Sequence, residues 1–229
     1  MSAVDDAFHG LRHMISSGRL EAGQKFPPEP ELCEELGVSR GSLREAVRML
    51  SALGVIESRH GSGTYVSQLR PEEIVGSLAL TVDLLPLSGL LDMYELRRVL
   101  ESHAAAQAAA KVDDASADEL LQLIEAMEAT DDPAKASELD GQFHAAIAKL
   151  GGNPTLMAFL GVFRSRSRAY QVFELPDGPA LKRISDLGHR AIADAIVGRD
   201  PIAASTAAAA HVAQTEAWLR LYQPAVVST

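Results

Sequence analysis

Apolar residues recur every three to four positions through most of this chain, the period of a helix with one buried face. Val4, Phe8, Leu11 and Ile15 form one such stripe and predict a helix over 4–17 that stops before Gly18. "GRLEAGQKFPPEPE" follows, with the Gly and Pro content of a loop. A second helix starts near Glu29, carries Leu32 and Leu36, and is broken by Gly37. Ser39 is placed to cap a third helix over 40–53. Leu43, Val47 and Leu50 face inward there, Arg40, Arg44 and Arg48 face outward, and Gly54 closes it. "VIESRHGSGTYVS" then alternates on both sides of "HGSG", the pattern of a two-stranded hairpin.

From residue 71 the period stays helical. Helices are predicted over 71–84, 88–110, 115–128, 133–150, 154–174, 178–198 and 201–222. Breaks fall at Pro86, Asp131–Pro133, Gly151–Pro154, Pro176–Pro179 and Gly198–Pro201. The expected architecture is mainly α. A winged helix-turn-helix with a small β-hairpin wing occupies 1–70, and an all-helical bundle occupies 71–229, with the boundary near "SQLRPEE".

Composition agrees with close-packed helices: 47% hydrophobic, 5% aromatic, with alanine runs such as "AAAAH". The lone Cys33 forbids an internal disulfide. "MSAVDDAFHG" has no apolar core of a signal peptide, and no apolar run approaches the roughly 18 residues of a membrane span. The expectation is a soluble, cytoplasmic protein with no membrane partner.

Net charge is −10, which argues against nucleic acid until its distribution is considered. Residues 71–229 carry 13 Lys/Arg against 22 Asp/Glu, whereas 36–70 carry five Arg against two Glu. A locally basic patch on an acidic protein suits phosphates. Ser39, Arg40, Gly41, Ser42 and Arg44 gather at the start of the third helix, the end that would enter a major groove. Arg59 and His60 sit at the hairpin tip, where a wing would touch backbone or minor groove. The alternative is a solvated basic helix that binds nothing.

"GQKFPPEPELCEELGVSRGSLREAVRMLSALGVIESRHGSGTYV" resembles the DNA-binding domain of the GntR family of bacterial transcription regulators, over about residues 8–67. The resemblance implies double-stranded operator DNA as partner, with contacts from Ser39, Arg40, Ser42, Arg44, His60 and Gly61. The family often has a DNA-contacting Arg where this chain has Pro30, so one contact is expected to be absent.

In the second part, "SELDGQFHAAIAKL" places Asp140 and His144 among Leu139, Phe143, Ile147 and Leu150. Their i,i+4 spacing puts both on one helix face. His9 and His13 share that spacing, so spacing alone decides nothing; those two are assigned to a helix surface. Burial makes the difference, because an unpaired carboxylate on an apolar face is costly. His189 lies near the stripe Ser185, Ile192, Ile196, and His211 lies among alanines small enough to leave a cavity. One Asp and three His from three helices suit Zn²⁺, with Ni²⁺ or Mn²⁺ possible. The alternative is that each histidine is an ordinary hydrogen-bonded residue.

"YELRRVLESHAAAQAA", "LDGQFHAAIAKLGGNPTL" and "ISDLGHRAIADAIVGRDPIAA" resemble, in order, the FCD effector domain of the FadR subfamily of GntR regulators. The resemblance implies a six- or seven-helix bundle around a cavity, with a divalent metal held by Asp140, His144, His189 and His211. It also implies a small carboxylate effector, with Arg97 facing it. Arg97 can equally pair with Glu101 one turn on. Arg164, Arg166 and Arg168 form a further basic cluster; Arg164 and Arg168 share a face as weaker cavity candidates, and solvated surface is the expectation.

Two rivals stand beside a ligand-responsive regulator. One is a metal-dependent hydrolase fused to a DNA-binding module. No H-E-x-x-H, Gly-rich phosphate loop or G-x-S-x-G supports it, and the expectation is that the protein is not an enzyme. The other is a regulator with a purely structural metal. The resemblance further implies a homodimer reading a palindrome, as a repressor relieved by its effector.

Overall fold

The computed structural model describes residues 2–225, the Arg168 side chain excepted. The chain forms two compact units, Met1–Ser77 and Leu78–Thr229.

The first unit holds α1 (Ala3–Ser16), α2 (Glu29–Leu36), α3 (Arg40–Ala52), the antiparallel strands β1 (Ile56–Arg59) and β2 (Gly63–Val66), and α4 (Pro71–Gly76). Ser2 and Asp5 close a capping box on α1. The buried stripe of α1 is Ala7, Leu11 and Met14, slightly rotated from the predicted centre, with Phe8 and Ile15 packed at its side, and His9 and His13 are exposed as expected. Gly37 ends α2 at φ 65°, ψ 30°, the left-handed conformation that lets α3 turn away at once. Leu43, Ala46 and Leu50 of α3 close the core against Leu11, Leu32 and Ile56. The region read as a loop contributes a short third line of pairing: Phe26 N–H donates to Thr64 O, and Val66 N–H donates to Gln24 O, both at 2.8 Å.

The second unit contains α5 (Ala79–Val82), α6 (Leu87–Lys111), α7 (Asp114–Ala129), α8 (Pro133–Gly151), α9 (Pro154–Arg168), α10 (Gly178–Val197) and α11 (Pro201–Tyr222). Asp113, Asp132, Asn153 and Asp200 cap α7, α8, α9 and α11 with side-chain oxygens on early backbone N–H groups. The 25-residue α6 runs through the bundle and packs on α8, α9, α10 and α11. Ala104, Ala105 and Ala108 of α6, with Ala204 and Ala208 of α11, allow the close approach the alanine runs suggested.

Two predicted helices are corrected. The stretch 71–84 is split at Ser77–Leu78: the Ser77 hydroxyl donates to Ile74 O at 2.7 Å, closing α4. The stretch 154–174 stops being α-helical at Arg168, where Gln171 takes φ 40° and a 3-10 turn covers Val172–Glu174. Tyr170 packs with Leu90, Tyr94 and Leu219 instead of continuing a helix face. The apolar residues beyond Arg168 mimic helical periodicity, which is why the pattern missed the end. Among the described residues no helix is long and apolar enough to cross a membrane.

Gly37→Ala forces a side chain into left-handed backbone and is expected to destabilise the first unit by about 1–2 kcal/mol. Amide hydrogen exchange of α2 and α3 reads this as lost protection, and unchanged protection would contradict the turn's role.

Candidate functional site

The core of the second unit carries a polar layer. On α6 the buried stripe runs Leu90, Tyr94, Arg97, Glu101, Ala104, Ala108, so a charged pair interrupts an apolar face. On α8 the interruption is Asp140 and His144, on α10 Ser185 and His189, and on α11 His211. Four chain segments therefore bring polar groups to one level.

Asp140, His144, His189 and His211 each offer a ligand atom, and all four atoms lie within 4.8 Å of one another. His144 and His211 stack with ring centroids 5.3 Å apart, and His189 and His211 tilt together at 4.3 Å. His189 Nε2 lies 3.0 Å from Asp140 Oδ1. That approach lacks hydrogen-bond geometry, so both nitrogens of His189 remain buried without a partner, as does His144 Nε2. A buried orphan of this kind costs roughly 1–3 kcal/mol. His144 Nε2 and one nitrogen of His189, beside a carboxylate, fit a divalent cation, which would take lone pairs that no protein donor reaches.

Neighbouring groups hold the donors ready. His144 Nδ1 sits 3.0 Å from Glu101 Oε2. A ring proton on Nδ1 suits that carboxylate and leaves the Nε2 lone pair facing the cluster. Burial, and then the Arg164 guanidinium, push the His144 pKa down to about 4, against the pull of Glu101. Burial, with His189 and His144 beside it, drives His211 well below its usual value. Both rings are thus neutral near pH 7, the form that binds metal. Burial opposes the charge on Asp140, yet Arg164 and the adjacent His189 hold its pKa well below the ordinary carboxylate range. Glu101 is likewise held low by Arg97 and Arg164 despite its burial.

The arginines complete the layer. Arg97 is 4% exposed, and its Nε donates to Glu101. Its Nη1 donates to Tyr94 Oη and Ser167 Oγ, both at 3.0 Å. Arg97 therefore pairs with Glu101 and also lines the cavity beside the cluster. Arg164 corrects the surface reading: it is 7% exposed, and it donates to Glu101 at 3.1 Å and to Asp140. Arg166 is half-buried and donates to Leu85 O. The Arg168 side chain lies outside the described residues. The adjoining open-mouthed cavity, about 80 Å³, is lined by Arg97, Asp140, Arg164, Ser167, Ser185, His211, Thr215 and Trp218 among others. Gly188 was not foreseen. A Cβ there would meet His211 Nδ1 at 2.8 Å, so the missing side chain is what seats that ring.

In the first unit, Ser39 caps α3, its hydroxyl accepting from Ser42 N–H at 3.1 Å. Arg40 and Arg44 project into solvent beside it. Glu29 of α2 grips Arg44 through Nε and Nη2 at 3.0–3.2 Å, which aims the guanidinium without burying it. Pro30 occupies the second position of α2, where no N–H is needed. His60 and Gly61, the latter at φ 70°, form the exposed hairpin tip, and Arg59 lies over the Tyr65 ring at 4.3 Å. The six residues expected to contact DNA thus fall at two places, the start of α3 and the tip of the hairpin.

Comparison with known proteins decides the family. Residues 3–66 match the model of bacterial regulatory proteins of the gntR family, and residues 92–214 match the FCD domain. The chain belongs to the GntR family of transcription regulators and carries an FCD domain. The Glc operon transcriptional activator of Escherichia coli (strain K12) is 30% identical over 217 residues, 88% of this chain and 83% of that protein. The HTH-type transcriptional repressor NanR of Citrobacter rodentium (strain ICC168) is 32% identical over 219 residues, 93% of this chain and 84% of that protein. A solved Streptococcus agalactiae GntR structure is 31% identical, with TM-score 0.58, covering 93% of this chain and 99% of that one. The matched domains are regulatory, and these relatives are named regulators, which sets this GntR regulator apart from the fused hydrolase.

If the cluster holds a divalent ion, Gly188→Ala is expected to displace the His211 ring and weaken uptake of added Zn²⁺ about 10- to 100-fold. Competitive titration against a chelator measures it, and wild-type affinity in the variant would contradict the seating of His211.

Proposed function

We propose that this GntR regulator is a homodimeric repressor that reads a palindromic operator and releases it when a small organic acid binds a metal-containing cavity in the FCD domain. The observation that carries this reading is the convergence of one carboxylate and three imidazoles, with orphaned buried nitrogens, beside a cavity whose wall includes Asp140, His211 and Arg97. Asp140, His144, His189 and His211 would hold the ion, with Zn²⁺ the first choice and Ni²⁺ or Mn²⁺ alternatives. The bound ion would supply open positions for a carboxylate, and Arg97 would orient that carboxylate by paired hydrogen bonds.

On the DNA side, Ser39, Arg40, Ser42 and Arg44 would meet the major groove, and His60 and Gly61 the backbone beside it. The forked contact from Glu29 supports Arg44 as a base reader, because a guanidinium held in one plane loses less entropy on meeting guanine. An effector shifts operator affinity only if it binds the two states of the regulator unequally. The related Glc operon protein is named an activator and NanR a repressor, so relatives leave the sign open, and the release mode is this reading's own commitment.

DNA selected by the protein from a random pool serves as the operator in fluorescence anisotropy. Arg44→Ala is expected to weaken binding by about 1–3 kcal/mol. His189→Ala is expected to keep DNA affinity but lose both bound Zn²⁺ and any response to carboxylates. Unchanged affinity in the first variant, or a full carboxylate response without metal in the second, would overturn the corresponding half of the reading.

A further inference from the structure

We propose that the cavity selects a short dianion, such as a dicarboxylate, over a monocarboxylate, with the metal as one anchor and the Arg97–Arg164 pair as the other. This rests on the effector reading above and narrows it to one ligand class.

The first support is charge balance. Two carboxylates, the part-buried Asp140 and the buried Glu101, face two buried guanidinium groups, Arg97 and Arg164. The three imidazoles ligate only as neutral rings, so the protein groups of the layer sum to zero. A divalent ion raises that sum to +2 within the bundle. Among the described residues, the only other charged side chain on the cavity wall is the exposed Glu174, where solvent screens it. A monoanion would leave an uncompensated buried charge, and a dianion would cancel it.

The second support is a count of donors. Arg97 spends Nε on Glu101 and Nη1 on Tyr94 and Ser167, and no hydrogen bond among the described residues uses its Nη2. Arg164 spends Nη1 on Glu101 and Nη2 on Asp140, and its buried Nε has no partner. Both side chains line the cavity. One carboxylate, Glu101, holds both guanidinium groups together, so they present a single doubly charged anchor beside the ligand cluster. Arg164 touches Asp140 itself, so the two anchors lie close together and suit a ligand of few carbons. Hydroxyls of Ser137, Ser185 and Thr215 on the same wall offer partners for its remaining oxygens.

Isothermal titration of the Zn²⁺-loaded full chain with malonate, succinate and L-malate, against acetate, propionate and L-lactate, tests this. The dicarboxylates are expected to bind at least about 10-fold more tightly. Arg164→Met should reduce that preference to near unity, with zinc content followed by elemental mass spectrometry. If that variant loses zinc or folding, Arg97→Lys, which keeps the charge but not the fork, replaces it and should also narrow the preference. Monocarboxylates binding as tightly as dicarboxylates would overturn the dianion inference and leave the effector reading standing. No binding by any carboxylate would overturn both. Full preference in a zinc-loaded, folded variant would remove the arginine pair from the account.

Discussion

A charged group inside a helical bundle must find its opposite or a ligand, and the second unit is organised around that requirement. Glu101 sits at the centre: it accepts from Arg97 and Arg164 and lies against His144 Nδ1. Removing either guanidinium would leave a carboxylate of the layer without its full compensation. Phe143, Ile147 and Ile192 of the apolar core nearby lower the dielectric around these pairings and strengthen them. What the pairings leave over is a set of imidazole nitrogens with no protein donor to meet them.

The two units solve different problems with the same helical vocabulary. In the first, charge stays outside: Arg40, Arg44 and Arg48 are exposed, and the Glu29–Arg44 pair is open to solvent, where its value is orientation more than stability. In the second, some charge is inside, and the guanidinium groups of Arg97 and Arg164 are matched there by Glu101 and Asp140. That division reconciles a net charge of −10 with membership of a DNA-binding family, because the basic residues needed for phosphates are concentrated on one helix and one hairpin.

Much of this was legible in the sequence because the signals were local. Pro and Gly punctuate the helices, Gly37 and Ser39 mark the turn into α3, and Asp140 and His144 stand out on an apolar stripe one turn apart. The remaining residues of the site were hidden because their meaning is tertiary. Arg164 lies in "RSRSR", a run that reads as solvated surface, and only the approach of α6 and α8 shows it buried. Glu101 could be read as a partner for Arg97 but not as the neighbour of His144, which lies on another helix. Gly188 is one glycine among 17, and its role depends on a ring from α11 lying against its Cα. The end of α9 was missed for a related reason: Tyr170 and Val172 keep a helical period in sequence while packing from a non-helical turn.

The central claim is that the buried cluster is a metal centre, and metal content tests it most directly. Elemental mass spectrometry would be run on protein purified without chelator or affinity tag, beside an Asp140→Ala/His144→Ala variant. The account predicts about one divalent ion per wild-type chain and none in the variant, with the helical content of both preserved. A wild-type protein that takes up no Zn²⁺, Ni²⁺ or Mn²⁺ after incubation would contradict it, and the orphaned imidazoles would then need another ligand.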